Sequence, residues 1–296
     1  MPGPPNLEVD MPSLRDIRKR IASVKNTQKI TNAMRMVAAA KLRRAEEAVK
    51  SARPFADKMR EVLLSLATRT NPRAHPFLEV KPVEKVCLIL ITADRGLCGA
   101  FNTNLNRRAE ALVREWTSQG LKVCMINVGR KGNDYFRRRQ VEIVERYVNV
   151  MGKVTPELAR NVVSVATEKF QAGEFQEVYI LYNRFRTAAS QILTLKKLLP
   201  VTPEGEWTKR REYLYEPSEE ELLGEILPRY IQSQVYTGIL DSVASEHGAR
   251  MTAMEAATSN AEEMIYKLTL KLNRRRQESI TTELMEIVGG AEALKG

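Results

Sequence analysis

SLRDIRKRIASVKNTQKITNAMRMVAAAKLRRAEEAVKSAR, residues 13–53, contains neither proline nor glycine and is bounded by Pro12 and Pro54. Ser13, three residues ahead of Asp16, spaces a capping box, so the stretch predicts a helix that starts there and runs uninterrupted. At 1.5 Å per residue it alone spans roughly 60 Å. Pro54 is expected to kink or interrupt it, after which FADKMREVLLSLA, residues 55–67, resumes the helical pattern. The other end of the chain behaves alike. After Pro228 only Gly238 and Gly248 punctuate the run before Gly289, which allows a helix on the order of 90 Å. A compact domain of this size needs no such pair, so both are expected to project.

Apolar spacing indicates how they associate. Ile17, Ile21 and Val24 step by four and three and continue through polar Gln28 and Thr31; Met254, Ala257, Ala261, Met264 and Leu268 follow the same rhythm. A mean period near 3.5 describes helices wound left-handedly about one another. The stripe is narrow and rich in alanine and methionine, which permits close approach.

Between the two ends the composition changes. VCLILIT, KVCMINV, VEIVERYV, EVYILYN and ASQILTLKKLLP read as strands; TNLNRRAEALVREWTS, KGNDYFRRR and TPELARNVVSVATEKF read as helices between them. Such alternation predicts a parallel sheet covered by helices, with an antiparallel edge. The fold class is therefore α/β plus long coiled coil: an antiparallel two-helix coiled coil from both termini with an inserted Rossmann-like α/β domain. The expected boundaries are a tail or upstream start over 1–12, ahead of Met11, an N-terminal coiled-coil helix over 13–68, the α/β domain over 83–216 and a C-terminal coiled-coil helix over 217–296.

The first strand is followed by TADRGLCGAFN, Thr92–Asn102, where a phosphate-binding turn would sit. A dinucleotide turn starting at Gly96 would need glycines where Cys98 and Phe101 stand, and a P-loop would need Gly-Lys-Ser/Thr where Phe101, Asn102 and Thr103 stand. Counted from Gly129, the same places hold Asp134, Tyr135 and Phe136. The stretch reads as a tight strand-to-helix turn with Asn102 or Thr103 as N-cap. No cofactor, metal or catalytic residue is expected. The two histidines, His75 and His247, lack ligand partners in sequence, and the three cysteines, Cys87, Cys98 and Cys124, lack metal-ligand spacing. Cys87 and Cys124 read as buried free thiols of a reducing compartment.

The net charge of +11 is concentrated. Residues 13–50 carry eleven Lys or Arg against Asp16, Glu46 and Glu47, which suits an acidic partner. One function class is thus a basic coiled coil that binds nucleic acid; the thirteen acids against eight bases from Glu219 onward argue against it. The other class is a coupling shaft. KLTLKLNRRR, from Lys267, is a basic collar, and Leu284, Ile287, Val288, Ala291 and Leu294 beyond it make an apolar tip that needs a surrounding sleeve.

The chain closely resembles the gamma subunits of F-type ATP synthases over essentially everything after Met11. The resemblance rests on IASVKNTQKITNAMRMVAAAKL, ITADRGLCGAFN, YLYEPS, LPRYIQSQVY and the tail spacing of Ile280, Thr281, Glu283, Glu286, Gly290, Ala291 and Ala293. It implies a non-catalytic rotor subunit, whose coiled coil turns inside a ring of three alpha and three beta subunits. The α/β domain would sit with epsilon on the membrane-embedded c-ring, at the cytoplasmic face of a bacterial inner membrane. Proton-driven rotation would be coupled to ATP synthesis or hydrolysis at the alpha and beta sites. The resemblance also implies residue roles. Met34, Arg35 and Arg250 match positions facing acidic lever loops of beta. Arg276, Gln277, Thr281, Glu283 and Glu286 match positions meeting catch loops of alpha and beta. Tyr213, Tyr215 and Glu216 match the foot on the c-ring. The cysteine insert of chloroplast members is absent, so redox switching of that kind is not expected.

Overall fold

The structure, a computed structural model, describes residues 13–67, 75–202 and 219–293. In chain order its elements are α1 (Leu14–Ala67), β1 (Lys85–Ile91), α2 (Phe101–Ser118), β2 (Lys122–Val128), α3 (Arg130–Phe136), β3 (Glu142–Tyr147), α4 (Pro156–Gln171), β4 (Glu177–Thr187), β5 (Ser190–Leu199) and α5 (Glu219–Ala293). The expected fold class is the one observed. Two compact units divide the chain, one combining the residues up to Met36 with those from Met254 on, the other Val37–Ala253.

In the first unit, helical segments from both ends of the chain pair side by side. Ser13 opens α1 with the expected box: its backbone N–H and hydroxyl both donate to Asp16 Oδ2, and Asp16 N–H donates back to Ser13 Oγ. Ile17 and Thr31 are buried, with Ile21, Val24 and Gln28 half-buried between them. On α5 the facing row is Met254, Thr258, Ala261, Ile265 and Leu268. Met264, expected in that row, is 47% exposed instead, and Ile265 takes its seat. A reading that followed only apolar residues passed over Thr258, and with it the four-residue step that brings Ile265 inward.

In the second unit five strands form one sheet in the order β3-β2-β1-β4-β5, parallel except for β5, which pairs antiparallel with β4. β1 is at its centre, and Val86–Ile91 are at most 1% exposed. Both faces are covered, which is why this strand reads as a continuous apolar run rather than an alternating one. On one face, α2 and α3 supply Phe101, Leu105, Leu112, Trp116 and Phe136. On the other, α4 supplies Val162 and Phe170, α1 supplies Leu63, and α5 supplies Leu223, Leu227, Ile231, Val235 and Ile239. Each such side chain contributes about 1.5–3 kcal/mol of burial.

That burial also explains two departures from local propensity. α1 is not interrupted at Pro54 but runs through it to Ala67; one lost backbone bond there is offset by the burial of Val49, Ala56 and Leu63 on either side. α5 begins at Glu219, upstream of Pro228, with Leu223 and Leu227 docked on the sheet. Gly248 permits close packing: a Cβ there would stand 3.0 Å from the Ala188 carbonyl oxygen.

Candidate functional site

The paired ends hold the first group of candidate residues. Gln28 Nε2 donates to Glu262 Oε1 at 3.0 Å, and the hydroxyls of Thr31 and Thr258 meet at 2.7 Å. A rise of three along α1 matches a fall of four along α5, so the segments are antiparallel. Beside these contacts lies a groove of about 370 Å³, lined in part by Gln28, Asn32, Arg35, Glu255, Thr258 and Glu262. Arg35 is half-buried at the groove, and its Nη2 donates to Asn32 Oδ1 at 3.1 Å. Met34 next to it is also half-buried. Asn32, Glu255 and Glu262 were not anticipated, and Gln28 was read only as a polar step of the coil stripe; a polar residue in such a stripe was the available signal.

Further along α5, Arg276, Gln277, Thr281, Glu283 and Glu286 are all exposed. Their known contacts are within the helix: Thr281 Oγ1 donates to the Gln277 carbonyl at 2.9 Å, and Ser279 Oγ donates to Glu283 Oε1 at 3.1 Å. Leu284, Met285, Ile287 and Val288 beyond them are each more than half exposed, so an apolar surface is presented to whatever surrounds this end. Leu294 lies outside the described residues, as do Tyr213, Tyr215 and Glu216.

Arg250 belongs to the second unit, and its charge is already engaged there. Nη1 pairs with Glu246 Oε1 at 2.7 Å and lies 3.3 Å from His247 Nδ1, while Nη2 donates to the Gly96 carbonyl at 3.1 Å. Burial pushes the Glu246 carboxyl above its ordinary range, a rise that Arg250 opposes. Burial, helped by Arg250 and Lys41, depresses His247 to about 4. His247 is therefore neutral at pH 7, and Arg250 acts as a clamp between α5 and the glycine-rich turn.

That turn is held by its own side chains. α2 begins at Phe101 with Ala100 at the cap and no side-chain cap bond. Neither Asn102 nor Thr103, the two expected caps, holds that position; Asn102 instead accepts Ala93 N–H at 3.0 Å and donates to Cys98 Sγ at 3.2 Å. Its side chain thus ties the loop together and leaves the start of α2 uncapped. At the carboxyl ends of the parallel strands, where ligands bind in folds of this type, Asp94 accepts N–H bonds from Arg130, Asn149 and Met151 at 2.7–2.9 Å. Thr92 Oγ1 accepts Gly132 N–H at 2.8 Å, and a Cβ on Gly129, whose φ is +99°, would fall 2.0 Å from the Thr92 carbonyl oxygen. A carboxylate already occupies the donors that a phosphate would use, and it would repel one.

The comparisons with known proteins agree with this geometry. A family model described as ATP synthase matches residues 13–294. The ATP synthase gamma chain of Geobacter metallireducens is 50% identical over 288 residues, covering 97% of this chain and 100% of that one. The chain belongs to the ATP synthase gamma chain family. The gamma chain of Trichlorobacter lovleyi is 48% identical over 289 residues, with the same coverage. Among solved structures, a chain of the Tetrahymena thermophila mitochondrial ATP synthase central stalk and c-ring is 27% identical, with a TM-score of 0.59, covering 77% of this chain and 99% of that one. A chain of the Euglena gracilis mitochondrial ATP synthase, 22% identical, shares the fold over 95% of this chain with a TM-score of 0.66. No helix among the described residues is long and apolar enough to cross a membrane.

Proposed function

We propose that this gamma chain is the central rotor of an F-type ATP synthase and couples rotation of a c-ring to nucleotide turnover on alpha and beta subunits. The observation that carries this reading is the antiparallel pairing of the two chain ends through Thr31–Thr258 and Gln28–Glu262, with an exposed apolar end of α5 beyond it. Gamma makes no bond itself; the nucleotide sites belong to its partners. A shaft can bias a beta site only by contacting its conformations differently. Met34 and Arg35 face beta levers, where a guanidinium near carboxylates contributes about 1–4 kcal/mol at surface-like dielectric. Arg276, Gln277, Thr281, Glu283 and Glu286 meet the catch loops, a reading supported by the exposure of all five side chains. Arg250 positions the glycine-rich turn rather than offering a bare charge, since Glu246 neutralises it.

Tyr213, Tyr215 and Glu216 form the foot on the c-ring, the α/β domain contacts epsilon, and the complex lies peripherally on the cytoplasmic face of the inner membrane. The nucleic-acid reading gains nothing from the family match or the relatives. The test is purification of the tagged chain from its native membrane. Alpha, beta, epsilon and c subunits should accompany it in ATPase-active material; recovery with nucleic acid and without alpha and beta would overturn the proposal.

A further inference from the structure

Leu42, Val49, Ala56 and Leu63 on α1 are buried at intervals of seven residues. Leu42 and Val49 share an apolar cluster with Leu240 and Ala244 of α5, and Ala45, Ala48 and Ala52 pack around it. A row that repeats every seven residues, padded by alanine, does not by itself fix how far one helix has slid along another, because shifted alignments bury similar side chains. A buried polar contact does fix it, since every other alignment leaves its members unpaired. Arg53 and Asp241 supply one here. Arg53 Nη2 donates to Asp241 Oδ1 at 3.1 Å and to the Phe185 carbonyl of β4 at 3.4 Å, and the Asp241 side chain is 3% exposed. The same stretch of α5 holds the β4–β5 hairpin directly. Ser245 Oγ donates to the Asn183 carbonyl at 3.0 Å, and Gly248 lets the Ala188 backbone close in. Arg53 therefore joins α1 to both α5 and the hairpin.

We propose that the Arg53–Asp241 pair is a register lock that positions α1 against α5 and the β4–β5 hairpin, so that this part of α1 turns as one body with the α/β domain. The proposal rests on the rotor reading above and adds two positioning residues to it. The alanine-padded seam supplies area without alignment, and the ion pair supplies alignment. A pair that served stability alone could be replaced by any arrangement of equal stability; a register lock could not.

That difference is the test. Arg53→Leu combined with Asp241→Leu removes both buried charges at once, a change that proteins often tolerate without loss of stability, and leaves the seam unmarked. In membrane vesicles carrying the assembled complex, this double variant should melt close to the parent and still hydrolyse ATP, while protons pumped per ATP hydrolysed fall several-fold. Arg53→Lys, which keeps a cation for Asp241, should hold the parent ratio. Parent-like pumping per ATP in the double variant would overturn the lock. If the double variant does not assemble, Arg53→Met decides in the complexes that do form, because the ratio does not depend on yield: a several-fold lower ratio supports the lock, and the parent ratio overturns it. A parent complex that hydrolyses ATP without pumping would count against the rotor reading instead.

Discussion

Thr31 and Thr258 meet hydroxyl to hydroxyl at 2.7 Å across the paired ends of the chain, and each also lies within bonding distance of a carbonyl on its own helix, Gln28 and Met254. Two protons serve three contacts, so one intrahelical bond gives way whenever the cross-helix bond forms. Replacing either threonine by valine should cost about 0.5–1.5 kcal/mol, and replacing both should cost little more than one. A double-mutant cycle on thermal unfolding measures this, and strictly additive losses would contradict the shared bond.

Arg53 Nη2 lies 3.1 Å from Asp241 Oδ1, and the Asp241 side chain is only 3% exposed. Arg53→Leu leaves that carboxylate buried without its cation, a loss of about 3 kcal/mol. Burial already raises the Asp241 carboxyl, against the opposing pull of Arg53. The variant's defect should therefore shrink as pH falls and Asp241 takes up a proton. Adding Asp241→Asn should recover part of the loss at pH 7, measured by denaturant midpoint.

His247, half-buried beside Arg250, sets a pH dependence whose sign follows from that burial. Its folded value, about 4, is below the ordinary 6.5, so the stability it contributes is present above pH 6.5 and lost as pH falls toward 4. Glu246, raised by burial, works in the opposite direction: protonation on acidification favours the fold. His247→Gln should therefore flatten the fall in melting temperature between pH 7 and 5. A variant with the same acid slope as the parent would show that the ring is not the titrating group.

Met34→Lys places a second cation beside Arg35. An added attraction to an acidic lever should leave ATP hydrolysis running while ATP-driven proton pumping by membrane vesicles falls several-fold. Unchanged pumping per ATP would assign Met34 to coil packing alone.

The fold was legible where periodicity is strong. Ile17, Ile21 and Val24 announced the coil, and VCLILI announced a strand buried on both faces. Single residues with two roles open to them were harder. Asn102 could cap a helix or hold a loop, and only the positions of Ala93 and Cys98 decide. Pro54 and Pro228 carry a local veto that long-range burial overrides. Asp94 carries no signal of its role in the sequence, because its three backbone bonds come from segments after β2 and β3 that no local pattern connects to it. For the candidate contact residues, family resemblance supplied the names. The structure supplied the difference between Arg35, lining a groove, and Arg250, already paired.

Rotation tests the central claim most directly. Cys87, Cys98 and Cys124 are buried, so a cysteine introduced at exposed Ala111 on α2 takes a bead selectively. With the alpha and beta subunits of the assembled complex fixed to glass, ATP should turn the bead in one direction with three stopping positions per turn. A bead that only fluctuates while the same complexes hydrolyse ATP would contradict the account.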